Sequence, residues 1–169
     1  MRRPGTWTLT EHAFRARHAR AYEGLFTLGS QHLHVRGSLE EHLADATPAN
    51  ATRGTFVPGI YGAHPALRRQ IVNLPFFLEL APAVRGERLD MEHSRISAYC
   101  RTLDLQCALL TRTLTWHTRA GAVVQLRFER FVSAARPQLC MQRLVMTADR
   151  AVSVTLSGGI DARVTSNNH

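Results

Sequence analysis

Lysine is absent from this 169-residue chain: all 21 basic residues are arginines, set against 13 acidic residues for a formal charge of +8. A basic surface can serve an anionic partner, and arginine suits carboxylates and phosphates through its rigid planar fork. Here, though, the arginines run from Arg2 to Arg163 in stretches no longer than two, and no nucleic-acid reading motif accompanies them. The bias reads as one of coding, and nucleic acid is not expected as a partner. Cysteine is scarce, with three residues and no C-x-x-C spacing, which excludes a closed disulfide framework. Cys100, Cys107 and Cys140 each adjoin apolar stretches and are expected to be buried, reduced thiols. No apolar run approaches the roughly 18–20 residues that cross a bilayer. No apolar segment follows Arg2 and Arg3 to make a secretory signal. The expectation is a soluble, cytoplasmic chain with no membrane partner.

What is present is a globular composition, 44% hydrophobic, in a length that suits one domain with a real core. Neither βαβ alternation nor a repeat of fixed period occurs. One helix is expected near the start, where Thr10 could cap "EHAFRARHARAYE" with Phe14, His18 and Tyr22 at helical spacing. Beyond it the pattern is that of strands. "QHLHVR" alternates, with Leu33 and Val35 to one side and His32, His34 and Arg36 to the other. "GTFVPGIYG" is broken by Pro58 and Gly59, as an edge or bulged strand would be. Pro75 interrupts "IVNLPFFLEL", a turn falls at Arg85-Gly86, and "ISAYCRTLDL" is extended. "ALLTRTLTWHT" and "AVVQLRFERFV" are long alternating runs joined at Arg119–Gly121, a hairpin. "QLCMQRLVMTA" and "RAVSVTLSGGID" continue the series, with "SGGID" read as a turn. Amphipathic antiparallel strands must close two sheets over a core. Residues 1–169 therefore read as a single, mainly all-β domain, a large antiparallel β-sandwich with at most short helices.

Chemistry is harder to find. His32 and His34 share a strand face and His42 follows, but no further ligand stands at a telling spacing, so no metal or other cofactor is expected. Glu40 and Glu41 are adjacent, and on an extended chain they point to opposite faces, so they cannot flank one scissile bond. No nucleophile elbow, phosphate loop or dinucleotide fingerprint occurs, and no catalytic residue is nominated.

The stretch "YEGLFTLGSQHLHVRGSLEE" resembles the opening of the N-terminal β-sandwich of glycoside hydrolase family 65, which includes maltose, trehalose and kojibiose phosphorylases and acid trehalases. Glu23, Leu25, Phe26, Leu28, Gly29, Leu33, Val35, Arg36, Gly37, Glu40 and Glu41 match its pattern in register. Further matches follow in order: Trp7 and Glu11, then "GTFVPGIYG", "VNLPFFLEL", "YCRTLDLQCALLTRTLTWHT", "RFERFVS" and "SGGID". Ser30, Gln31 and His34 depart from the asparagine-glycine and glycine positions of the pattern, and glycine is also usual near Cys107.

The resemblance implies a supersandwich of the galactose-mutarotase-like type, incomplete here, and preceding an α/α-barrel that holds the catalytic groups. In a complete enzyme a glutamic acid protonates the leaving oxygen of an α-linked glucose disaccharide, and phosphate or water attacks with inversion. The chain would be the non-catalytic N-terminal module, supporting the substrate site and assembly, with the barrel as partner and a homodimer possible. The loop bearing Arg36, Glu40 and Glu41 would face the barrel, and those residues are the substrate-binding candidates, against the plainer reading of an internal salt bridge. Two alternatives remain: a stand-alone sugar-binding module with a platform from Trp116, Phe56 and Tyr61, or an aldose-epimerase-like enzyme with a histidine and a carboxylate in one cleft. A severed module should also expose an apolar patch or an unpaired sheet edge.

Overall fold

The computed structural model describes residues 7–41, 53–64 and 68–164. Strand β1 (Thr8–Glu11) is followed by a 3-10 turn (Ala16–His18) that runs into helix α1 (Ala19–Leu25), the single α-helix among the described residues. Short strands β2 (Leu28–Gly29), β3 (His34–Val35), β4 (Thr55–Phe56), β5 (Tyr61–His64) and β6 (Arg68–Ile71) come next. The long ones are β7 (Phe76–Val84), β9 (Arg95–Asp104), β10 (Leu109–His117), β11 (Val123–Val132), β12 (Cys140–Ala148) and β13 (Val154–Asp161), with the two-residue β8 (Glu87–Arg88) after β7.

Two of these readings need correction. Thr10 does not cap a helix. It lies in β1 opposite Thr102 of β9, and the β-branched Thr8, Thr10 and Thr102 suit the pleated edge. The helix begins only at Ala19, after Phe14 has packed edge-on against Tyr99. Nor is "SGGID" a turn. It forms the end of β13, where a Cβ on Gly158 would stand 3.1 Å from the Glu79 carbonyl of β7, so the missing side chain permits close pairing.

The largest sheet has the order β1-β9-β10-β11-β12, all antiparallel. Its centre is the β10–β11 hairpin, closed by the Gly121 N–H donating to the Thr118 carbonyl at 3.0 Å. Gly121 has φ +80°, a conformation that favours glycine. A second sheet, β13-β7-β8, packs on its inner face. Strict alternation along β10 and β11 turns Leu110, Leu114, Trp116, Val124, Leu126, Phe128 and Val132 inward.

The apolar contacts fall into two clusters. One holds Leu114, Trp116, Val124, Leu126 and Phe128 against Val84, Leu89 and Met91. The other holds Leu103, Leu110 and Val132 against Phe76, Leu78, Phe26 and Val35. This is a two-layer, all-β sandwich, as the alternation predicts. Among the described residues β13 pairs only with β7, and its Val154, Leu156 and Ile160 are exposed. Among the described residues, no helix is long and apolar enough to cross a membrane.

Candidate functional site

Inward parity also carries charge into the sandwich. Arg112 lies on β10 between Leu110 and Leu114, Arg130 on β11 between Phe128 and Val132, and Arg101 on β9 beside Leu103. All three are buried. Arg101 and Arg112 face each other across the ladder, and Arg130 faces Leu110. The three form a cationic belt between the two apolar clusters. Like charges opposite one another in a sheet are unfavourable, and unpaired charge in a core is far more so. The belt therefore requires acids.

They come from the segment after β3. Arg112 donates from Nη1 and Nη2 to the two Glu41 oxygens, both at 2.5 Å, and from Nη2 to Glu40 Oε2 at 2.8 Å. Arg130 Nη2 donates to Glu40 Oε1 at 2.5 Å. The guanidinium groups also hold the loop backbone: Arg130 reaches the Arg36 and Ser38 carbonyls at 3.2 and 3.0 Å, and Arg101 the Gly37 carbonyl. Arg101 and Arg112 lie over the rings of Phe26 and Phe128, at 4.7 and 4.1 Å from the centroids. From the opposite sheet the Leu80 N–H donates to the Glu40 carbonyl at 3.1 Å. The loop is thus clamped between the layers. The adjacent glutamates do not point apart as an extended chain would place them, because the segment beyond Val35 leaves the strand and turns both carboxylates onto Arg112.

Burial works against ionisation of Glu40, but Arg130, Arg112 and Arg101 outweigh it and hold its carboxyl down to about 2. Burial likewise opposes the charge on Arg112, yet Glu41 and Glu40 raise its pKa further. At Arg101 burial prevails and the pKa falls, offset in part by Tyr99 and Glu40. A third acid stands at the margin. Glu11 is 3% exposed and accepts the Tyr99 hydroxyl hydrogen at 2.7 Å. Burial raises its pKa above the ordinary range, against the lowering pull of that bond and of Arg101 and Arg112.

Of the three substrate-binding candidates, Glu40 and Glu41 are brought together inside the belt, 4% and 2% exposed. Arg36 is not part of it. Its side chain is half-buried and no carboxylate among the described residues lies within 4 Å of its guanidinium. Arg101, Arg112 and Arg130 were not nominated from the sequence, although their parity with Leu103, Leu110 and Phe128 was the available signal.

His32 and His34 are exposed, and His34 Nε2 meets the Ser30 carbonyl at 2.9 Å. His42 lies outside the described residues, among which no three His, Cys, Asp or Glu residues group to hold a metal. Trp116 is fully buried in the core and cannot join a sugar platform, while Tyr61 is 56% exposed and Phe56 half-buried. A histidine–carboxylate pair occurs at His93 and Asp90, 3.0 Å apart, but inside a surface turn. There the same Asp90 carboxylate accepts the Glu92 N–H and the Asp90 N–H donates to Ser94 Oγ, a local role. Cys107 is exposed rather than buried, since it falls in the turn after β9 where Asp104 Oδ1 accepts its N–H; Cys100 and Cys140 are half-buried, and burial raises the Cys140 thiol to about 11.

These features define a β-sandwich domain whose charged loop is locked within its core. The chain belongs to the family described as glycosyl hydrolase family 65, N-terminal domain, which it matches over residues 9–169. It is 34% identical over 166 residues to the kojibiose phosphorylase of Escherichia coli (strain K12), covering 96% of this chain and 20% of that protein. The kojibiose phosphorylase of Halothermothrix orenii is 27% identical over 160 residues, covering 94% and 20%. The maltose phosphorylase of Bacillus subtilis (strain 168) is 24% identical over 145 residues, covering 79% and 18%. The chain thus spans about a fifth of the length of these curated relatives. A solved structure of a human-microbiome protein, named as a candidate kojibiose phosphorylase, superposes with a TM-score of 0.79 at 22% identity, covering 89% of this chain and 21% of that one. That likeness establishes the shared fold.

Proposed function

We propose that this chain serves as the non-catalytic N-terminal sandwich of an enzyme that cleaves an α-linked glucose disaccharide, with phosphate or water as acceptor. The observation that carries the reading is the state of its two paired loop carboxylates. Glu40 and Glu41 are sealed in the core and neutralised by Arg112 and Arg130, so neither is poised to protonate a leaving oxygen. Similarity to phosphorylases over a fifth of their length fits a division of labour in which a separate helical barrel supplies the acid and the acceptor site.

In that division the belt is a positioning device. Arg101, Arg112 and Arg130 fix the course of residues 36–41, and the loop in turn braces the face that meets the barrel and its sugar. The exposed apolar side chains of β13 are consistent with a module that works against further polypeptide.

The test has two arms. The chain alone, given kojibiose, maltose or trehalose with phosphate, should release neither glucose nor glucose 1-phosphate. Added to a kojibiose phosphorylase catalytic domain stripped of its own N-terminal region, it should bind and restore turnover. Turnover by the chain alone, or failure to bind the catalytic domain, would overturn the reading.

A further inference from the structure

The charges of the 36–41 loop divide into two kinds. Both glutamates are bound by arginines from the sheet. Arg36, the one cation of the segment, has a single weak acceptor among the described residues, the Arg20 carbonyl of α1 at 3.4 Å from Nη2. Its Nε is shut off from water and has no hydrogen-bond partner among the described residues. Guanidinium carries five N–H donors, so four are left without a protein acceptor among the described residues.

The site is shaped around this side chain. A Cβ on Gly54 would lie 2.5 Å from Arg36 Cδ and 2.7 Å from the Phe56 ring, so only glycine leaves the stem room to lie flat there. The Arg36 N–H donates to the Gly54 carbonyl at 2.8 Å, and Arg130 Nη1 grips the Arg36 carbonyl, which fixes the backbone at both ends. A Cβ on Gly24 would sit 3.8 Å from Nη2, an ordinary contact distance, so α1 flanks the fork. Arg20 contributes its backbone carbonyl to this site, and its residue is otherwise exposed. Glu23, three residues on, is buried and lies in the field of Arg53.

The geometry points to Arg36 as an oxyanion-binding residue: its guanidinium is held pre-oriented, half-buried and acid-free to receive a carboxylate or a phosphate. An immobilised fork in a partly dry setting binds such groups by two parallel charge-assisted hydrogen bonds, with little ordering cost left to meet. The oxyanion can come from an acidic side chain of the catalytic domain or from the inorganic phosphate of the reaction. Arg36 is then the point at which the clamped loop reaches outward, which rests on the docking role proposed above.

The test is a titration of the 169-residue chain with inorganic phosphate and, separately, with acetate. The readouts are the backbone amides of Gly24 and Gly54 and the sealed Arg36 Nε–H in 15N-edited NMR. Saturable shifts with at least one of the two anions are expected, weakened at least about tenfold in Arg36→Gln and less in Arg36→Lys, since removing one charge-assisted bond costs roughly 1.5–3 kcal/mol. Response to phosphate alone names free phosphate as the source. Response to both, with Arg36→Gln also loosening the catalytic domain, names a carboxylate. No saturable shift with either, or equal shifts in Arg36→Gln, overturns the assignment. If the wild-type chain still docks in that case, only Arg36 falls and the module reading stands.

Discussion

Truncating Glu41 to alanine removes two of the three short bonds that Arg112 makes and leaves a fully buried guanidinium sharing only Glu40 with Arg130. Breaking one partner of a buried pair in this way costs about 3–5 kcal/mol, because the remaining charge stays desolvated. In a domain of this size each kcal/mol lowers Tm by roughly 2–4 °C, so the expected loss is roughly 6–20 °C. A large share of a typical total stability of about 5–15 kcal/mol would vanish. Urea unfolding of wild type and Glu41→Ala, followed by tryptophan fluorescence from the buried Trp116, gives the difference directly. The joint replacement Arg112→Met with Glu41→Leu removes the charges together and leaves Glu40 on Arg130. It should be milder than Glu41→Ala alone. A loss below about 1 kcal/mol in Glu41→Ala, the scale of an exposed pair, would refute the buried clamp, as would a double variant worse than the single one.

The remaining predictions concern acids and glycine. Glu40 has its folded pKa lowered from 4.5 to about 2, so its stabilising contribution is present above pH 4.5 and fades as pH falls toward 2. Denaturant midpoints measured across that window should drop steeply in wild type and less in Glu40→Gln, which starts lower at pH 7. Glu11 has the opposite sign: its folded pKa is raised, so its ionisation weakens the fold as pH climbs above 4.5. Glu11→Gln keeps an acceptor for Tyr99 and should gain stability at pH 7 relative to wild type, with the gain gone below pH 4.5 in thermal melts. Gly37→Ala would put a Cβ 2.5 Å from Phe26 Cβ and 2.8 Å from its carbonyl oxygen. Backbone cannot yield there as a side-chain tip can, so a loss of about 1–3 kcal/mol is expected by calorimetry.

The strands were legible in the sequence because period-2 alternation over nine or ten residues leaves little choice for β10 and β11. The hairpin at Gly121 and the break at Pro75 were equally plain. The helix start was misplaced because Thr10 and the 11–23 spacing satisfy local capping rules, while pairing of Thr8–Glu11 with β9 is a tertiary effect that no local pattern contains. "SGGID" failed for a related reason: glycine marks turns and also close strand approach, and only the position of the Glu79 carbonyl separates the two. The glutamates were singled out from the family pattern, yet their partners are 71, 72 and 90 residues away. Arg112 and Arg130 were visible as charges on the apolar parity of their strands, which is the local conflict that marks a buried network.

Those long separations bear on how the chain reaches its native state. A clamp that joins segments so far apart cannot assemble until the β10–β11 ribbon exists to present its guanidinium groups, since loop closure of that span is entropically unfavourable and nothing compensates it earlier. Capture of the glutamates is therefore expected after the rate-limiting barrier, so that Glu41→Ala should accelerate unfolding while leaving the refolding rate nearly unchanged in stopped-flow chevrons. By the same ordering, release of this loop is expected to precede separation of the β10–β11 ribbon when the sandwich unfolds.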